Sequence, residues 1–220
     1  MRSYIKALIF DLDGTLADTV PAIAEAVNMT LNELGYPTHE VEEIKTFIGK
    51  GPRHLISEAL PKEIRENEPQ TVEKALELYT RMYKKTYLNT TELYDGIEEA
   101  IITLSKYYKI AVLSNKQDKY VKNLVAQLLP EGICSIARGS VNDVPAKPNP
   151  QTALQIAEEL GVSHYECMLI GDSDIDILTA ENAGLDILSV SWGYVSKAKL
   201  LIKGAQDIID SPSELVEYFE

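Results

Sequence analysis

The stretch IFDLDGTLAD, residues 9–18, begins as an apolar run and then places two aspartates, Asp11 and Asp13, directly after it. A short apolar run that is bounded by a glycine turn is typical of a buried β-strand. Ionised carboxylates are rarely buried unless they are paired or bind a metal ion. The stretch therefore predicts a buried strand that ends in a functional site.

Further apolar runs alternate with helical patterns, which favours an α/β fold with a mainly parallel sheet. In a Rossmann-like core with the strand order 3-2-1-4-5, the second, first and fourth strands are neighbours. We predict the strands at 4–10, 109–114, 133–137, 167–170 and 187–191, with a short sixth one at 207–209.

The first connection of this sheet, between Phe10 and Lys109, is far longer than one crossover helix needs. Its apolar residues recur at helical spacing, and no strand alternation interrupts them. We therefore predict an all-helical cap domain at 17–90, inserted into an α/β core that is formed by 1–16 and 91–220.

Composition narrows the function classes. The chain has 220 residues and a net charge of −13, which argues against general nucleic-acid binding because a phosphate backbone requires a basic surface. No apolar run is long enough for a transmembrane helix, and the N-terminus lacks the layout of a signal peptide. We expect a cytoplasmic monomer or homodimer that does not act on nucleic acid or membranes.

Polar side chains follow three of the predicted strands and should meet at the carboxyl edge of the sheet. They are Asp11 and Asp13, Ser114, and Asp172, with Lys147 on a nearby loop. Clustered carboxylates without histidine or cysteine suit Mg²⁺ better than Zn²⁺. A lysine and a hydroxyl beside such an ion can bind a phosphoryl group, and an aspartate can be its acceptor.

Four segments resemble the motifs of the haloacid dehalogenase-like hydrolase superfamily, in the right order and along the whole chain. They are DLDGT (11–15), SN (114–115), KPNP (147–150) and GDSDID (171–176). GDSDIDILTAENAG and SWGY (191–194) also resemble the phosphoglycolate-phosphatase-like branch, which has a helical cap. The resemblance implies a Mg²⁺-dependent phosphatase that acts on a small phosphorylated metabolite, with phosphoglycolate as the leading substrate.

By this resemblance, Asp11 is the nucleophile that forms an aspartyl-phosphate, and Asp13 is the general acid and base. Ser114 and Lys147 hold the transferring phosphoryl group. The Mg²⁺ ligands are the Asp11 and Asp172 carboxylates with the Asp13 backbone carbonyl.

Supporting roles are also implied for neighbouring motif residues. Asn115 and Thr15 are expected to donate or accept hydrogen bonds at the site. Asp176 and Ser173 are expected to contact the residues that bind the substrate or the metal ion, rather than the substrate or the ion itself. Asp176 would orient Lys147 or a metal-bound water.

The cap segment FIGKGPRHLI, residues 47–56, combines two glycines with Lys50 and Arg53. A loop of this type offers backbone N–H groups and two cations to an anion. We hypothesise that Lys50 or Arg53 recognises a carboxylate at the non-phosphate end of the substrate.

Two alternatives share parts of this pattern. A phosphosugar mutase of the β-phosphoglucomutase type carries a histidine in the first cap helix, and Ile23 occupies the corresponding position here. A signalling or binding module that holds a phosphoaspartate without turnover uses similar acids, but it lacks a second acid two residues after the nucleophile.

Overall fold

The computed structural model describes residues 4–220, which divide into two compact units. One unit runs through Asp18 and resumes from Leu93 to Glu220, and the other unit is Thr19–Glu92. Each boundary lies two residues beyond the one that we predicted from the sequence. No helix in residues 4–220 has the length and apolar composition needed to cross a membrane.

The first unit is built on a six-stranded sheet. Its strands are β1 (Ala7–Phe10), β4 (Lys109–Gln117), β5 (Cys134–Ser140), β6 (Cys167–Gly171), β7 (Asp186–Val190) and β8 (Ile208–Ile209). They lie in the order β5-β4-β1-β6-β7-β8, and their pairings are parallel. The predicted order 3-2-1-4-5 is therefore confirmed, and the short sixth strand extends it by one position.

The helices of this unit follow the strands. They are α6 (Ile97–Leu104), α7 (Asp118–Leu128), α8 (Gln151–Glu159), α9 (Asp174–Ala183), α10 (Lys197–Ile202) and α11 (Glu214–Phe219), with a 3₁₀ turn at His164–Glu166. Every residue of β1 is buried, as expected for a central strand that is covered on both faces. Residues of β1, β4 and β6 pack with α8 and α9 in one apolar cluster.

Helix α8 begins at Gln151, directly after Pro150. Asn149 caps this helix, because its Oδ1 accepts a hydrogen bond of 3.0 Å from the Gln151 N–H. The next helix, α9, stops at Gly184, which has the positive φ of 66° that glycine adopts readily.

The second unit is helical from Val20 to Thr86. Its helices are α1 (Val20–Leu34), α2 (Val41–Lys45), α3 (Pro52–Ala59), α4 (Lys62–Asn67) and α5 (Pro69–Thr86). The two long helices bury the apolar faces that the sequence pattern predicts, including Ile23 and Val27 on α1 and Tyr79 and Tyr83 on α5. The short strands β2 (Ala17–Asp18) and β3 (Glu92–Leu93) pair with each other where the chain enters and leaves this unit.

Candidate active site

The site forms where three adjacent parallel strands end. Phe10, the last residue of β1, is in register with Val112 of β4 on one side and Ile170 of β6 on the other. Asp11 continues the β1 ladder by one bond, because its N–H donates to the Ile170 carbonyl at 2.8 Å. The sheet therefore brings Asp11, residues 114–116 near the end of β4 and the residues after β6 to one edge, as the sequence predicted.

A buried ion-pair chain occupies the centre of this edge. The Lys147 ammonium lies 3.0 Å from Asp11 Oδ1 and 2.6 Å from Asp176 Oδ1. The other Asp176 oxygen, Oδ2, accepts hydrogen bonds from the Ser173 hydroxyl at 2.6 Å and from the Ser173 N–H at 3.1 Å. Asp176 thus connects the first turn of α9 to Lys147, and Ser173 fixes the orientation of its carboxylate.

Asn115 holds the backbone of Lys147 with both ends of its side chain. Its Oδ1 accepts from the Lys147 N–H at 2.8 Å, and its Nδ2 donates to the Lys147 carbonyl at 3.0 Å. Asn115 and Lys147 are both buried. The asparagine therefore positions the lysine, a role that its place beside Ser114 in the motif did not specify.

Asp172 is enclosed by close backbone contacts. Its Oδ2 accepts a hydrogen bond of 2.6 Å from the Tyr194 N–H, and its Oδ1 lies 3.4 Å from the Thr15 hydroxyl. A Cβ on Gly14 would lie 2.4 Å from Asp172 Oδ2, and one on Gly193 would lie at the same distance. Glycine at both positions is required by this close approach, because any side chain there would displace the carboxylate.

The carboxylate of Asp13 forms an ion pair that the motifs do not indicate. Asp13 Oδ1 lies 2.8 Å from the Lys116 ammonium, and both side chains are largely buried, at 14% and 7% exposure respectively. We did not identify Lys116 from the sequence. Its place directly after the SN motif was the one available signal, since a residue next to a motif at a strand end also lies near the site.

The remaining predicted residues fall into two groups. Ser114 is buried at the site edge of β4, and its Oγ accepts a hydrogen bond of 3.3 Å from the Lys116 N–H. Lys50 and Arg53 belong to the helical unit, where Lys50 is exposed between two glycines of positive φ, Gly49 and Gly51. The Arg53 guanidinium binds both carboxylate oxygens of Glu73, at 2.5 and 2.8 Å.

Burial and charge shift the pKa values at the centre of the site. Burial raises the pKa of Asp11 to about 7, although the adjacent Lys147 acts in the opposite direction. Burial also raises the pKa of Asp172 well above its usual range, and the charges of Asp176 and Asp11 add to this effect. Burial alone would lower the pKa of Lys147, but Asp11 and Asp176 outweigh it and raise that pKa.

These shifts indicate an excess of buried negative charge that a cation would neutralise. Carboxylate oxygens of Asp11, Asp172 and Asp176 lie within 4.8 Å of one another, and all three residues are buried. One ammonium, that of Lys147, contacts two of these three carboxylates. An oxygen-only set of this kind fits a hard divalent cation such as Mg²⁺.

The chain matches the model of one protein family, haloacid dehalogenase-like hydrolase, over residues 8–190. A phosphoglycolate phosphatase from Psychrobacter arcticus is 31% identical over 218 residues, which cover 97% of this chain and 95% of that protein. One from Nitrosospira multiformis is 34% identical over 195 residues, which cover 86% and 85%.

The fold comparison agrees with the sequence matches. The crystal structure of a protein from Lactobacillus delbrueckii subsp. bulgaricus superimposes on this chain with a TM-score of 0.88. The two chains are 32% identical, and the superposition covers 97% of each. The resemblance that we drew from the four motifs is therefore confirmed, and so is the prediction of an enzyme related to phosphatases. The chain belongs to the haloacid dehalogenase-like hydrolase family.

Proposed function

We propose that this protein is a Mg²⁺-dependent phosphatase that hydrolyses a small phosphomonoester through an aspartyl-phosphate on Asp11. The observation that carries the proposal is the position of Asp11. Its carboxylate lies 3.0 Å from the Lys147 ammonium, in one buried cluster with Asp172. A nucleophile beside a fixed cation is the arrangement that phosphoryl transfer requires, because charge develops on the transferring oxygens.

The reaction has two steps. In the first step an Asp11 oxygen attacks phosphorus, the bond from phosphorus to the ester oxygen breaks, and Asp13 protonates the departing oxygen. In the second step Asp13 takes a proton from water as the water attacks phosphorus. The bond between Asp11 and phosphorus then breaks, and inorganic phosphate is released.

Lys147 and Ser114 bind the phosphoryl oxygens in this proposal. Lys147 is held for that task at its backbone by Asn115 and at its ammonium by Asp176. A positioned ammonium stabilises the transition state because it does not have to reorient as charge develops.

The metal ion would be held by the Asp11 and Asp172 carboxylates with the Asp13 backbone carbonyl. Both Asp176 oxygens are already bonded to Lys147 and Ser173, so we assign Asp176 to orienting the lysine. A bound Mg²⁺ would supply charge neutralisation for the phosphoryl oxygens.

A phosphoglycolate-like ester is the substrate that we propose first. The two relatives named above are phosphoglycolate phosphatases, and their similarity covers 97% and 86% of this chain. The exposed Lys50 of the helical unit provides a cation for the carboxylate of such a substrate. The phosphatase proposal itself rests on the α/β unit and does not depend on this choice.

The Asp11→Asn variant tests the proposal. Phosphate release from 2-phosphoglycolate with Mg²⁺ should fall by more than about 10³-fold, because an amide cannot serve as the nucleophile. The exposed Asp95 of the same unit provides the matched control Asp95→Asn, which should retain activity. Appreciable kcat in a folded Asp11→Asn variant would refute the nucleophile, and stoichiometric phosphorylation of the unmodified protein without turnover would indicate the signalling alternative.

A further inference from the structure

We propose that Lys116 is the residue that positions Asp13 for both proton transfers. This inference rests on the function proposed above and adds a residue that the family motifs do not assign. The Lys116 ammonium lies 2.8 Å from Asp13 Oδ1, and the two side chains are only 7% and 14% exposed. A pair this close and this far from solvent is not screened as a surface ion pair is.

The backbone explains why Lys116 reaches the site. Leu113 of β4 pairs with Arg138 of β5, whereas Gln117 pairs with Ser140, so four steps along β4 span two along β5. The segment between these pairs leaves the regular ladder. Irregularities of this kind redirect side chains, and they are common beside active sites. Here the displaced residues are Ser114, Asn115 and Lys116.

Two local contacts keep the displaced segment in place. The Lys116 N–H donates to Ser114 Oγ at 3.3 Å. A Cβ on Gly139 would lie 2.4 Å from the Lys116 carbonyl oxygen, so β5 approaches this point with no side chain between the two backbones. The Lys116 side chain therefore extends from a fixed backbone, and its ammonium can fix the Asp13 carboxylate in turn.

Orientation is decisive for a general acid and base. The carboxyl group must stay within hydrogen-bond reach of the leaving oxygen in the first step and of the attacking water in the second. Anchoring one oxygen of Asp13 to a buried ammonium restricts the rotation of the carboxyl group. Lys116 thus acts through Asp13, and the loss of its ammonium should impair proton transfer rather than substrate binding.

The test compares Lys116→Met in two backgrounds, the unmodified protein and Asp13→Asn, with Mg²⁺ present. With 2-phosphoglycolate, Lys116→Met should lower kcat about 10- to 100-fold with little change in KM, a part of the usual effect of general acid–base catalysis. In the Asp13→Asn background it should cause no further loss beyond about twofold. Lys116→Arg, which retains a cation, should restore part of kcat.

A substrate with a good leaving group separates the two steps. Nitrophenolate leaves without a proton. With p-nitrophenyl phosphate, the Lys116→Met variant should therefore release one equivalent of nitrophenolate rapidly. A slow steady state should follow, because the second step still requires Asp13. The control is Lys122→Met, which removes a 53% exposed lysine of α7 that pairs with Asp118 at 2.6 Å and should leave both phases unchanged.

Three outcomes would overturn the inference. A further loss in the Asp13→Asn background, or a raised KM with unchanged kcat, would show that Lys116 contacts the substrate directly. Unchanged kinetics in a folded Lys116→Met variant would show that the ion pair has no catalytic role. Turnover by Asp11→Asn would instead refute the proposed phosphatase mechanism, so the two failures are distinguishable.

Discussion

Replacing Asn115 by alanine removes the two hydrogen bonds that hold the backbone of Lys147. These bonds are 2.8 Å from the Lys147 N–H to Asn115 Oδ1 and 3.0 Å from Asn115 Nδ2 to the Lys147 carbonyl. Both residues are buried, so the variant leaves one donor and one acceptor of Lys147 without this partner. The change therefore tests whether Asn115 acts by positioning Lys147 rather than by binding the substrate.

The expected loss of stability follows from those two groups. A buried polar group that loses its hydrogen bond costs about 1–3 kcal/mol. Asn115 and Lys147 line a small cleft that is partly open to solvent. Water that enters the space left by the asparagine side chain can recover part of that loss. We expect Asn115→Ala to lower the free energy of unfolding by about 2–4 kcal/mol. We expect kcat to fall by about 10- to 100-fold, because a displacement of the Lys147 ammonium near 1 Å has an effect of that size.

Urea denaturation and steady-state kinetics with Mg²⁺ would measure the two effects. Asn182→Ala is the matched control. The exposed Asn182 donates one hydrogen bond of 2.9 Å to the carbonyl of Pro148, the residue that follows Lys147. This control should lose less than about 1 kcal/mol and keep kcat within about twofold. If Asn115→Ala loses no more stability and no more kcat than Asn182→Ala, Asn115 does not position Lys147.

Three further predictions concern the affinity for the metal, the stability of the metal-free protein and the recognition of the substrate. Burial raises the pKa of Asp11 to about 7, so protons compete with Mg²⁺ for this carboxylate below that pH. The Mg²⁺ affinity, measured by calorimetry, should therefore fall by about tenfold per pH unit for each proton that Mg²⁺ displaces. In the metal-free protein, folding favours the protonated form of Asp11, so the free energy of unfolding should decrease as the pH rises from near 4 through about 7. No dependence on pH in either experiment would contradict the raised pKa of Asp11. Lys50→Ala should raise KM for 2-phosphoglycolate more than for ethyl phosphate, and more than Arg53→Ala does, because Glu73 already binds the Arg53 guanidinium. Equal KM changes for the two substrates would refute recognition of a carboxylate by Lys50.

Much of the fold follows from local sequence patterns. The strand before Asp11, the apolar faces of α1 and α5, and the turn after α1 at Gly35 are set by residues close together in the chain. Backbone propensity and hydrophobic periodicity act over such distances, so these elements could be predicted. The strand order 3-2-1-4-5 is the one that a Rossmann-like core implies, and the sheet has that order.

The composition of the candidate site was predictable in the same way. Asp11 and Asp172 follow strands, Ser114 lies near the end of β4 and Lys147 lies on a loop. A parallel topology therefore brings them to one sheet edge. Their residue types alone indicate a hard cation and a phosphoryl group. The sequence by itself thus determined the kind of chemistry that this protein can perform.

Only the tertiary structure decided how those groups are held. Lys116 meets Asp13 because β4 leaves its ladder with β5, and Asn115 holds Lys147 from 32 residues away in the chain. Asp172 receives the N–H of Tyr194, 22 residues away, because Gly193 lets the backbone approach the Asp172 carboxylate. Such contacts join segments whose local patterns are independent, so their geometry arises when the strands and loops pack against one another.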